Sequence, residues 1–172
     1  MVNFSFWSQK QQSVVRPSRY AGSWYESNAG KLESELAAFL NLDLAFDSNS
    51  LSRLNFSNKE AAGELLAIVV PHAGYMFSGK TAAFAYKAAA QAVKPKRIFL
   101  LGPSHHIAFQ GAALPDAHFF ATPLGNIEID RELIAKLITY PGFGIQAEVH
   151  KVEHSLELQL PFLKYCFSEA AL

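Results

Sequence analysis

The sequence predicts an α/β fold, a central and largely parallel sheet flanked by helices, and three observations carry that expectation. Residues 65–70 (LLAIVV) form a continuous apolar run that Pro71 stops, the pattern of a short strand buried on both faces. Residues 97–101 (RIFLL) are a second such run, closed by Gly102 and Pro103. Between them residues 81–93 are dense in alanine, a strong helix former. Strand, helix, strand in this order makes a right-handed crossover with parallel strands.

Residues 1–15 mix aromatics with a Gln/Lys cluster without a sustained period, which predicts a loosely ordered arm ahead of a single domain over 16–172. In 16–25 (RPSRYAGSWY) Pro17 and Gly22 suit turns, while Tyr20, Trp24 and Tyr25 offer large faces for either a site or the core. Asn28 is placed to cap a helix whose apolar face is Leu32, Leu36, Phe39 and Leu40. Residues 41–63 are rich in Asn, Ser and Asp and read as a long loop, with a short helix at 59–62.

After the two central runs, residues 111–114 suit another strand, and 122–125 (TPLG) a turn before 126–130. Asp130 should cap a helix through Leu133, Ile134, Leu137 and Ile138, ended by Pro141 and Gly142. In EHSLELQLPFLKYCF, beginning at Glu153, helical spacing would bring His154 and Glu157 onto one face. That face suits metal ligation or, equally, a solvated helix start whose acids complement the dipole. Pro161 interrupts this helix or opens a new turn, and residues 167–172 show no closing element.

The candidate chemistry sits where the two runs end. His72 follows the first and His105 the second, and ligands of open α/β sheets gather outside the carboxyl ends of the strands. Two histidines past the same ends of neighbouring strands make a plausible pocket rim. His106 is adjacent to His105, so their rings should point apart. Gly74, Gly79, Lys80 and Thr81 satisfy the P-loop spacing. Bulky Tyr75, Met76 and Phe77 inside the pattern, and a following run that ends without an aspartate, argue against it, so no nucleotide is expected.

The chain has 15 basic and 15 acidic residues, which points to neither nucleic acid nor an anionic membrane as partner. A single cysteine, Cys166, excludes an internal disulfide and suits a reducing compartment. With no apolar stretch of membrane-spanning length and no signal-peptide pattern at the start, a cytoplasmic protein is expected.

Five blocks in order, AGSWY at 21–25, PHAGY with SG at 71–79, LGPSHH at 101–106, TPLG at 122–125 and EHSLELQLPF at 153–162, resemble the Memo family. That family includes the bacterial proteins labelled component B of the AmmeMemoRadiSam system. The resemblance implies a fold similar to class III extradiol dioxygenases, with a non-haem metal, iron or copper, at the rim of the sheet and metal-dependent redox or dioxygenase-like activity. Its ligands are two histidines and a cysteine. The histidines correspond to His72 and His105, whereas the cysteine belongs to a C-terminal part that these residues lack, and Cys166 falls elsewhere. Tyr75, His106, Glu153, His154, Glu157 and Trp24 are then expected to line the pocket or support its ligands. Water, Glu153, Glu157 or a second chain would have to complete the shell. The incomplete fold should expose an apolar face or unpaired edge and favour self-association. The resemblance also admits a different function, recognition of a phosphotyrosine peptide by the same pocket with Tyr20, Trp24 and Tyr75; in either case a small-molecule or peptide ligand is expected.

Overall fold

The computed structural model describes residues 13–42 and 65–172; residues 1–12 of the arm expected over 1–15, and the helix expected at 59–62, lie outside the described residues, while Val15 at the arm's end is already paired in a strand. The architecture is α/β, with two small sheets among helices. The strands β1 (Val15–Arg16), β3 (Phe119–Thr122) and β4 (Gly125–Glu128) form one mixed sheet in the order β1-β3-β4, parallel then antiparallel. The second sheet pairs β2 (Ala112–Leu114) with β5 (Phe143–Ile145) in parallel.

The helices follow local signals. In α1 (Ala29–Leu40) the Asn28 side chain accepts the Lys31 N–H at 3.0 Å, so one otherwise orphaned donor of the first turn is satisfied. Asp130 does the same for α3 (Arg131–Leu137), accepting the Leu133 N–H at 2.8 Å. The alanine-rich helix α2 (Tyr75–Ala92) starts earlier than its composition suggests. No proline intervenes after Gly74, and the Tyr75 N–H is held by the Trp24 carbonyl at 2.8 Å.

That early start disposes of the P-loop pattern. Gly79, Lys80 and Thr81 lie within α2, so their amides belong to a helix instead of a phosphate-cradling loop. Gly79 has another reason to be glycine: a Cβ there would stand 2.6 Å from the Phe39 ring, where α1 crosses α2.

Residues 65–70 and 97–101, expected as strands, form no strand; among the described residues the second run has a single parallel bridge, from Arg97 to Ala171. The expectation of strands buried on both faces fails as well. Ile68, Val70, Ile98 and Leu100 pack against the core, whereas Val69 is 97% and Leu101 87% exposed. Leu66 and Phe99 are exposed as well.

The segment after α4 (Ala147–Val152) also departs from its helical reading. Glu153 leaves the helix with extended backbone, a single 3₁₀ turn spans Glu157–Gln159, and α5 (Leu160–Cys166) begins with Pro161 in its first turn, where a missing N–H costs nothing. Residues 171 and 172 bond back to earlier segments: the Ile98 N–H donates to the Ala171 carbonyl at 2.9 Å and the Leu172 N–H to that of Glu128 at 2.9 Å.

The core gathers Leu32 and Leu36 of α1, Tyr75, Ala83 and Tyr86 of α2, Phe120, Ile127, Leu158 and Phe162. Complete burial of each leucine is worth about 1.5–3 kcal/mol. Tyr86 stacks on Phe162 with centroids 4.8 Å apart, and its hydroxyl donates to the Gln159 side-chain oxygen at 3.1 Å. Gln159 in turn donates to the Pro71 carbonyl at 3.1 Å, which anchors the loop carrying His72. Among the described residues no helix is long and apolar enough to cross a membrane.

A second, polar anchor fixes the start of the described chain. Arg16 donates to Glu157 Oε2 at 2.7 Å, to the His150 carbonyl at 2.6 Å and to the Glu153 carbonyl at 2.8 Å. The Glu157 side chain is fully buried, and its Oε1 accepts the Tyr20 N–H at 2.7 Å and the Tyr25 hydroxyl at 3.0 Å. Substituting Arg16→Met leaves that carboxylate buried without its cation, and a loss of about 3–5 kcal/mol is expected in urea denaturation.

Beside this network the buried His150 ring bonds the Ala113 carbonyl at 2.9 Å. Burial pushes its pKa below the usual histidine value, and the Arg16 charge adds to that against the pull of the Ala113 carbonyl and Glu153. Between the folded and unfolded values the unfolded chain binds the proton that the folded chain refuses, so stability rises with pH there. The contribution of His150 is present above the usual histidine pKa and is lost as pH falls through the lower folded-state value. His150→Gln should flatten the corresponding part of a denaturation series taken across mildly acidic pH; an unchanged slope would count against this assignment.

Candidate metal centre

Three loops converge on one point. His72 arrives after Pro71, at the end of the first extended run; His105 sits in the turn after the second; His154 lies in the irregular stretch between α4 and the 3₁₀ turn. One ligand-capable atom from each of these histidines lies within 4.8 Å of the other two. The His72 and His105 centroids are 5.2 Å apart, those of His72 and His154 5.9 Å, and His105 stacks on His154 at 4.5 Å and 19°. Three nitrogens bound to one tetrahedral ion at about 2.0–2.1 Å stand about 3.3–3.4 Å apart. The described atoms lie within 4.8 Å of one another, so these three imidazoles can hold a metal ion once they draw closer.

The carboxylate of Glu153 joins two of the loops. Its Oε2 accepts the His105 N–H at 2.6 Å. Its Oε1 lies 2.9 Å from His105 Nδ1 and accepts the N–H groups of His154 at 2.8 Å and Ser155 at 2.9 Å. Burial pushes this carboxyl up, but the hydrogen bonds from His105, Ser155 and His154 outweigh it and hold the pKa down at about 2. His154 Nδ1 lies 3.4 Å from the same oxygen. Burial lowers the His154 pKa, and neighbouring rings including His105 and His72 lower it further, against the attraction of Glu153. A neutral imidazole is the form that binds a metal.

Further contacts set the loop spacing and wall the rings. Ser155 Oγ donates to the Pro103 carbonyl at 2.7 Å. The Trp24 ring lies 4.5 Å from that of His154, and Tyr20 packs against both, at 5.3 Å from Trp24 and 5.8 Å from His154. Trp24 thus borders the cluster.

The other residues singled out from the sequence fall in different places. Tyr75 is in the core, its hydroxyl donating to the Leu158 carbonyl at 2.9 Å. Glu157 faces Arg16, away from the histidines, because the chain between it and Glu153 is not one helix. His106 is exposed, and its ring meets that of His154 edge-on at 6.1 Å, outside the three-histidine cluster. Cys166 sits on α5, where burial pushes its thiol up to about 11; it is no part of the cluster. Arg16, which braces the His154 loop, carried no signal in the sequence beyond its place before a proline. Glu153 did have one, its position directly before a histidine.

The family model described as Memo-like protein matches residues 16–172. The chain is 36% identical over 158 residues to the MEMO1 family protein MHO1 of Saccharomyces cerevisiae, covering 87% of this chain and 43% of the relative. It is 34% identical over 152 residues to Protein MEMO1 of Xenopus laevis, covering 88% and 46%. Against a MEMO1 family protein of Pyrobaculum aerophilum it is 34% identical over 160 residues, covering 92% and 54%. The chain therefore spans about half the length of the curated relatives it matches.

The close approach of the His105 and His154 loops has a simple test. A Cβ on Gly102 would lie 2.8 Å from both Leu156 Cδ2 and Ser155 Oγ. Gly102→Ala should therefore push the loops apart at a cost of about 1–3 kcal/mol, read by urea denaturation; wild-type stability would show that the loops yield freely.

Proposed function

The chain belongs to the Memo-like family, and on that premise we propose that His72, His105 and His154 bind a single first-row transition-metal ion. The observation that carries this reading is the convergence of three imidazoles from separate loops within 4.8 Å. Imidazole ligands suit iron, copper and zinc, and of these we propose iron or copper, the ions that the family resemblance implies. Three protein ligands leave coordination positions for water and a small ligand.

The bound ion would supply Lewis-acid or redox chemistry. This chain's own contribution is to present nitrogens, to hold the His105 and His154 loops together, and to shield one side of the cluster with Trp24 and Tyr20. A metal-dependent redox activity of dioxygenase type is the reaction class that fits such a centre with open positions.

Another reading, capture of a phosphotyrosine peptide, has one observation in its favour: Trp24 and Tyr20 form an aromatic wall beside the histidines. Peptide binding that survives both a chelator and His72→Ala would favour this reading over the metal.

The metal reading is tested by elemental mass spectrometry of purified protein after exposure to iron(II), copper and zinc. About one ion per chain is expected for wild type, with near-complete loss in the His72→Ala/His105→Ala double variant and a deep loss in His154→Ala. Wild type that retains no more metal than the double variant sinks the proposal.

A further inference from the structure

We infer that Glu153 is a positioning residue for the histidine cluster: its carboxylate selects the tautomer of His105 and fixes the distance between the His105 and His154 loops. The inference deepens the metal reading and rests on it for its consequence, although its structural part can be tested on metal-free protein.

The tautomer follows from what each group can donate. An ionised carboxylate accepts hydrogen bonds and has none to give. His105 Nδ1, 2.9 Å from Glu153 Oε1, must therefore carry the proton when the ring is neutral, which leaves the lone pair on Nε2. Carboxylate-to-histidine contacts of this kind orient a ring and raise its basicity toward a metal. The same carboxylate also holds the backbone of both loops, taking the His105 N–H on Oε2 and the His154 and Ser155 N–H groups on Oε1. The three backbone groups bonded to it are all donors.

An amide cannot replace it. Placing the Gln oxygen where Oε1 stands would turn its NH₂ toward the His105 N–H, donor against donor. Placing it at Oε2 would turn the NH₂ toward the His105 ring and the His154 and Ser155 amides. Glu153→Gln keeps the size of the side chain but should lose both the tautomer selection and the loop spacing. Glu153→Asp keeps an acceptor of the same charge on a shorter arm and should restore the tautomer.

The test has two arms. Long-range proton–nitrogen correlation on metal-free protein with ¹⁵N-labelled histidine reports which ring nitrogen of His105 is protonated, and it needs no variant. The expected result is the Nδ1–H form in wild type and Glu153→Asp, and a mixture or the Nε2–H form in Glu153→Gln. Zinc titration of the same samples should show Glu153→Gln binding about 10–100-fold more weakly than wild type, with Glu153→Asp between them. Nε2–H His105 in wild type overturns the inference, as does Glu153→Gln with unchanged tautomer and zinc affinity. Absence of uptake of iron(II), copper and zinc alike by wild type with His105 in the Nδ1–H form overturns the metal reading and leaves the tautomer assignment standing.

Discussion

The ion pair between Arg16 and Glu157 is the constraint on which the rest of the site depends. The guanidinium reaches across the fold to the carbonyls of His150 and Glu153 as well as to the Glu157 carboxylate. One side chain thereby fixes the end of α4, the start of the His154 loop and the 3₁₀ turn beyond it. Glu157 passes the constraint back by accepting the Tyr20 N–H and the Tyr25 hydroxyl, so the chain that brings Trp24 to His154 is tied at the same place. A buried ion pair of this kind is weak evidence for net stability, since both charges give up water. Its hydrogen bonds are directional, and a hydrophobic substitute would not hold four separate groups in register.

Two kinds of support meet at the histidines. His72 depends on packing, through the Tyr86 and Phe162 stack and the Gln159 side chain that reaches Pro71. His105 and His154 depend on polar contacts, through Glu153 and the bond from Ser155 to Pro103. The cluster is assembled from both, so neither the apolar core nor the polar network alone sets its geometry.

Much of the local structure was legible in the residues, for reasons that are themselves local. Asn28 and Asp130 cap the helices they precede because short polar side chains reach the free N–H groups of a first turn. The repeat of extended run, turn and histidine placed His72 and His105 on neighbouring loops, and the structure puts their rings 5.2 Å apart. Properties set by distant parts of the chain were not legible. Periodicity could not show that Val69 and Leu101 would face solvent, because a continuous apolar run is silent about which neighbours cover it. Helical spacing suggested that His154 and Glu157 would share a face, but the His154 and Ser155 N–H groups held by Glu153 and Arg16's grip on the Glu153 carbonyl draw that segment out of a helix. The resemblance led Tyr75 to be expected in the pocket or behind its ligands, whereas α2 starts at that residue and buries it in the core.

The three histidines come from loops far apart in the chain, and none is near another until the molecule has folded. A ligand that touches all three rings therefore recognises a property of the native state alone, and its binding free energy is added to that of folding. Occupancy of the pocket is then a thermodynamic ballast for the whole molecule: persistence of the folded form would vary with the free concentration of whatever fills it, and a starved chain would spend more time open to proteases than a saturated one.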